Sequence, residues 1–236
     1  MSFLRKLFSM NDSSQTYQRS TNKQKPFTKT NDDLSQVKMI GKYYKISDLQ
    51  TIPLGGEYSM VPIDAKSVFE ESDKIILNSL GQTARIKRYL PILDFSIPDN
   101  SSEKFFLKLV KQTEMGLGFS YGIRQSKGLL GIIMVDTPAL NQLTNNFENW
   151  TISFFVLELF ENKRILSTAL PRLLFFLREK IGVKRLYAIV DSDNTRSIHL
   201  LQKFFFEKVN NSEWYGKNNT EIPMIYCCDL TLINFH

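Results

Sequence analysis

The sequence predicts an α/β domain: a mixed, mostly antiparallel sheet with helices on its faces, preceded by a flexible basic tail. Three observations carry that expectation. Two short apolar runs, Phe119–Arg124 and Leu129–Val135, flank the turn Gln125-Ser126-Lys127-Gly128 and read as an antiparallel hairpin. From Trp150 onward the pattern alternates strand, helix, strand, helix, strand. Ahead of the hairpin, two stretches carry apolar residues at helical spacing. Helices inserted between paired strands after an antiparallel run cover a mixed sheet on its faces.

The chain has 236 residues, 42% hydrophobic and 23% charged, enough for one domain of ordinary size. Its apolar runs, such as ISFFVLELF at 152–160, fall short of the roughly 18 residues that a bilayer helix needs, so no transmembrane segment is expected. The net charge of +6 is unevenly placed. Residues 1–55 hold nine Lys/Arg against four Asp, and the rest of the chain is almost neutral. A nucleic-acid surface needs a basic face on the fold itself, so no nucleic-acid partner is expected there. Cys227 and Cys228 are adjacent, and His199 and His236 are the only histidines. Neighbouring cysteines do not close a loop, and these residues make no zinc set, so no metal is expected.

Residues 1–35 are rich in Ser, Thr, Asn, Gln and Lys, and read as a disordered tail that merges into a linker ending at residue 55. Its start, Phe3-Leu4-Arg5-Lys6-Leu7-Phe8, reads either as a frayed terminus or as a short amphipathic turn. Cytoplasmic location is the default, with organelle targeting by this acid-poor tail as the alternative.

The domain is expected over 56–236. Gly55-Gly56 makes a turn before an extended segment, Glu57–Ile63. Asp64 is expected to cap a helix running to about Leu80, with Ala65, Val68, Phe69 and Ile75/Ile76 on one face. A second helix follows Ser101-Ser102-Glu103, with Phe105, Phe106, Leu109 and Val110 inward, and ends near Gly116. After the hairpin, Asn141–Asn149 reads as a polar loop and Trp150–Leu159 as a long buried strand. Ile165–Ile181 is an apolar helix that Gly182 terminates. Val183–Val190 is a β-branched strand, Asp191–Asn194 a turn, and Thr195–Phe204 a helix with Ile198, Leu201 and Phe205 inward. Residues 222–233 close the sheet.

The segment Trp150–Phe206, WTISFFVLELFENKRILSTALPRLLFFLREKIGVKRLYAIVDSDNTRSIHLLQKFFF, resembles the GNAT acyltransferase superfamily, and within it the ribosomal-protein N-acetyltransferase branch. Strand, phosphate loop, helix, strand, DxDN turn and helix follow in the family's order without a gap. The likeness extends to about residues 57–236. It implies a strand pair that splays at Phe154–Glu158, so that the pantetheine arm of CoA pairs with freed backbone like an added strand. The loop Phe160–Ser167 would then present backbone N–H groups and a helix N-terminus to the diphosphate.

The family writes that loop Q/R-x-x-G-x-G/A and the ribosomal-protein branch usually writes it Q-G-K-G-Y-A; here the aligned residues are Glu161, Asn162, Lys163, Arg164, Ile165 and Leu166, followed by Ser167. Asn162 and Arg164 replace glycines. Asn tolerates positive φ, whereas Arg adopts it at a cost. Lys163 and Arg164 offer side-chain charge instead. The same residues also read as an ordinary charged strand-to-helix loop. Pro171 lacks an N–H to bond back to Ser167, which predicts a kinked or late-starting first turn.

By the resemblance, Asn194 holds the pantetheine arm, the Val156 backbone polarises the thioester carbonyl, and Ser197 or a water protonates the departing thiolate. Asn194 also reads as a helix cap. Glu158 reads either as a general base or as a solvated strand end. Leu201 stands where many relatives carry a tyrosine acid, and Phe204-Phe205-Phe206 replaces Leu-Gly-Phe. His199 reads as a surface residue. The implied activity is acetyl transfer from acetyl-CoA to a primary amine, a protein N-terminus or a small amine, by a monomer or homodimer. The rival reading is a degenerate, non-catalytic module that binds CoA weakly or not at all.

Overall fold

A computed structural model describes residues 43–67, 69–90, 101–126, 128–145, 149–209 and 224–234. The expectations for residues 1–35 lie outside the described residues. Eight strands form one sheet: β1 (Ile52–Gly55), β2 (Tyr58–Pro62), β3 (Gly118–Gln125), β4 (Gly128–Asp136), β5 (Trp150–Val156), β6 (Arg185–Val190), β7 (Glu207–Val209) and β8 (Met224–Asp229). Their spatial order is β1-β2-β3-β4-β5-β6-β8-β7. Among the described strands, only β5 and β6 pair in parallel. The described helices are α1 (Glu71–Gly81), α2 (Ala84–Tyr89), α3 (Ser102–Glu114), α4 (Pro138–Asn145), α5 (Ile165–Phe176, continued by a π turn Leu177–Ile181) and α6 (Thr195–Lys203).

Period-two alternation along the strands divides the core between the two faces. On one face, Tyr121, Ile133, Val135 and Ile152 pack with Leu170, Leu173 and Leu174 of α5, and with Leu201 of α6. On the other, Ile132, Met134 and Phe155 pack with Leu77 and Leu80 of α1, and with Phe105 and Leu109 of α3. Arg124 on β3 forms a bidentate ion pair, 2.7 and 3.3 Å, with the fully buried Asp73 of α1. That pair locks α1 to the sheet and offsets the desolvation of both charges.

Several elements differ from the sequence reading. Asp64 caps a tight turn rather than a helix: its carboxylate accepts from Lys66 N and its carbonyl from Ser67 N. The helix begins seven residues later, at Glu71, and Ile75 points to solvent. Residues Asn141–Asn145 of the polar stretch belong to α4, whose start carries a signal in the sequence: Thr137 accepts the first helical bond from Asn141 N, and Pro138 supplies a preset φ at the first position. Strand β5 ends at Val156, and Glu158–Phe160 is a 3-10 turn. The folded part also begins ahead of residue 56, because β1 pairs with β2 and the Tyr44 hydroxyl donates to Gly118 O at 2.6 Å. Pro171 delays nothing: α5 begins at Ile165, and Thr168 N donates to Arg164 O.

Phe205 is exposed, and Phe206 takes its expected place in the core. The cause is local. Phe206 N donates to Leu201 O and Phe205 N to Gln202 O, a helix-ending motif that turns the intervening residue left-handed, here φ +63° at Phe205. The buried contact that accompanies such an ending is Leu201 with Phe206.

Candidate active site

The site grows from the parallel pair. Strands β5 and β6 are in register only at Trp150↔Leu186 and Thr151↔Tyr187. Beyond that point β5 stays bonded to β4 as far as Gly131↔Val156, while β6 stays bonded to β8 as far as Val190↔Met224. A wedge therefore opens between the carboxyl ends of β5 and β6. Leu157 N donates to Leu130 O at 2.8 Å, so this residue faces β4. Backbone groups alternate sides along an antiparallel strand, and those of Val156 consequently face the wedge.

Gly131 permits that geometry. A Cβ on it would lie 2.3 Å from Phe155 O and 2.9 Å from Val156 Cα, so the two backbones pass closer there than any side chain allows.

The loop after β5 leads directly to the wedge. Glu161 closes the 3-10 turn, Asn162 and Arg164 are left-handed at φ +62° and +60°, and α5 starts at Ile165. Together with Phe205, these are the three positions where the sequence substitutes for an expected glycine, and the backbone keeps a glycine-type conformation at each. Left-handed residues alternating with others curl successive N–H groups into an anion-binding concavity. The first described helical acceptance is Thr168 N to Arg164 O, which leaves the Ile165, Leu166 and Ser167 N–H groups at the positive end of α5. The Ile165 side chain is buried and Leu166 packs against the core, so both contribute backbone only. Asn162, Lys163 and Arg164 are exposed, with the Lys163 ammonium 5.0 Å from the Phe160 ring centroid.

Across the wedge, Asn194 caps α6. Its Oδ1 accepts from Ser197 N at 3.3 Å, and its own N–H donates to Asp191 O. That leaves the Nδ2 amide for another acceptor. Ser197 is half-buried in the first turn. His199 is exposed on that helix, and Leu201 is buried in the core. Two ion pairs hold the turn from both sides: Arg88 of α2 with Asp193, and Arg196 of α6 with Glu161 of the loop at 2.5 Å. Neither pair is marked by a motif; only three-dimensional placement reveals them. Glu158 is exposed at the start of the 3-10 turn, two residues beyond β5. Among the described residues, no group of three or more His, Cys, Asp or Glu is placed to hold a metal ion.

Residues 68–207 match the family described as an acetyltransferase (GNAT) domain. The chain belongs to the GNAT acetyltransferases. Enzymes of this family take acetyl-CoA as donor, and the wedge, the curled loop and the α5 N-terminus fit an elongated ligand with a diphosphate.

Among solved structures, the fold is similar to RimL, a ribosomal L7/L12 alpha-N-protein acetyltransferase in complex with coenzyme A (TM-score 0.56, 16% identity, covering 76% of this chain and 98% of that one). It is also similar to the microcin C7 self-immunity acetyltransferase MccE, in complex with acetyl-CoA and AMP (0.59, 13%, 78% and 99%). A third is the Salmonella typhimurium acetyl transferase that modifies the N-terminal serine of L7/L12 (0.55, 14%, 76% and 99%). At these identities the likeness is one of fold. No curated protein matches the chain in sequence.

Proposed function

We propose that this GNAT domain transfers an acetyl group from acetyl-CoA to a primary amine, a protein N-terminus or a small amine, by direct attack. The observation that carries the reading is the wedge: a strand pair opened beyond Thr151/Tyr187, with the Val156 backbone facing the gap and the curled loop at its mouth. The neutral amine attacks the thioester carbon, a C–N bond forms, and the C–S bond breaks. The Val156 N–H donates to the carbonyl oxygen as it gains charge. Asn194 Nδ2 holds the pantetheine arm, while its Oδ1 stays with Ser197 N. The Ser197 hydroxyl gives its proton to the leaving thiolate, and Glu158, on the 3-10 turn after β5, receives the amine's proton through water. Alignment of the two substrates supplies most of the acceleration, since no covalent nucleophile is needed.

Two features support a working loop without its glycines. Backbone curl persists at Asn162 and Arg164, and the Lys163 and Arg164 side chains add charge to the cradle.

Calorimetric titration of CoA and acetyl-CoA into the full chain, followed by an amine-acceptor screen, tests the proposal. Micromolar binding with CoA release on adding an acceptor is expected. Absence of both heat and thermal stabilisation at millimolar ligand overturns it, and leaves the fold as a non-catalytic module.

A further inference from the structure

Glu161 and Arg196 form an ion pair that is unusual in its place. Glu161 directly precedes the left-handed Asn162, so its carboxylate lies beside a concavity built of N–H groups. Its side chain is only 17% exposed, whereas that of Arg196 is 68% exposed. The carboxylate is therefore tucked in, and the guanidinium is open to solvent where α6 meets the loop. Arg196 lies between Asn194 and Ser197, in the helical turn that flanks the pantetheine path. Its planar fork carries five donors in a geometry that suits phosphate as well as carboxylate.

Resting on the acetyl-CoA reading, we infer that Arg196 is a ligand of the cosubstrate's diphosphate, and that Glu161 holds its place until the ligand arrives. The carboxylate takes the guanidinium face that a phosphate oxygen would take. Binding then exchanges one anion for another on the same cation, and Glu161 remains as a like charge that the ligand must overcome. Glu161 thereby weakens binding, while Arg196 strengthens it. A purely structural strap would act the other way for Glu161, because removing either partner would loosen the loop equally.

The experiment is titration of CoA into the full chain and its Glu161→Gln, Arg196→Gln and Arg196→Lys variants, with melting curves to confirm folding. Glu161→Gln is expected to tighten CoA by about threefold, Arg196→Gln to weaken it by about tenfold, and Arg196→Lys to recover part of that loss. The Arg196→Gln loss should persist with dephospho-CoA, which keeps the diphosphate and lacks the 3′-phosphate. Equal weakening by Glu161→Gln and Arg196→Gln overturns the inference, as does a loss that vanishes with dephospho-CoA. Wild-type protein that binds no CoA overturns the transferase reading, and this inference with it.

Discussion

Helices α3 and α6 end in the same hydrogen-bonded motif, one with glycine and one without. After α3, Gly116 is left-handed at φ +68°, with Leu117 N bonded to Gln112 O. After α6, Phe205 is left-handed at φ +63°, with Phe206 N bonded to Leu201 O. The first ending lies where the chain enters the hairpin; the second belongs to the helix that carries Asn194. Asn162 and Arg164 complete the contrast, two more left-handed residues without glycine, both in the loop that follows β5. The lesson is that tertiary contacts dictate these conformations. Phe206 and Leu201 buried together on one side, and Ile165 buried on the other, hold the backbone where glycine would relax into it. Arg164 and Phe205, which lack the tolerance of Asn for this region, each store on the order of 1 kcal/mol or more.

The largest test of that contrast falls on a glycine demanded by space rather than by φ. Gly131→Ala drives a Cβ into Phe155 O and Val156, and should cost about 3 kcal/mol, read as a lower urea midpoint, with loss of CoA binding as the wedge shifts.

Next is the closed end of β5. Burial pushes the Asp136 carboxyl up to about 6, against the opposing pull of Lys108 and a hydrogen bond from Thr151. Burial likewise brings Lys108 down to about 8. Between about pH 4 and 6 the folded state holds the Asp136 proton more tightly than the unfolded chain. Stability therefore falls as pH rises through that window, by on the order of 2 kcal/mol. Between about pH 8 and 10 the sign reverses for Lys108, whose proton the unfolded chain keeps more tightly, so stability rises. Denaturation at a series of pH values should show the acid slope in the wild type and not in Asp136→Asn.

Smaller effects sharpen the glycine comparison itself. Arg164→Gly should raise stability by about 1 kcal/mol by relieving the left-handed backbone, yet weaken CoA several-fold as a cradle cation is lost. A rise in CoA affinity would instead show that Arg164 obstructs the site. Phe205→Gly should raise the melting temperature similarly, with CoA binding unchanged. Asn162→Gly should shift stability by no more than about 0.5 kcal/mol, because Asn already tolerates this region.

Local patterns in the sequence determined most of the frame. Alternation marked the hairpin, apolar spacing marked α3, α5 and α6, and Gly182 marked the end of the helical run. Each of these signals arises from residues a few positions apart. The order of residues from Trp150 to Phe206 also marked the loop and the Asn194 turn, and its missing glycines named three of the four described non-glycine positions that are left-handed.

What only tertiary structure decided depends on contacts between distant segments. The helix at 71–81 starts where Asp73 meets Arg124, fifty-one residues away, and not at the cap-like Asp64. The inward phenylalanine after α6 is chosen by the core that receives Phe206. The wedge exists because β5 and β6 take different partners beyond Thr151, which no pattern within either strand encodes. The pairing of Glu161 with Arg196 joins two exposed-looking charges thirty-five residues apart, and long-range placement alone gives it meaning.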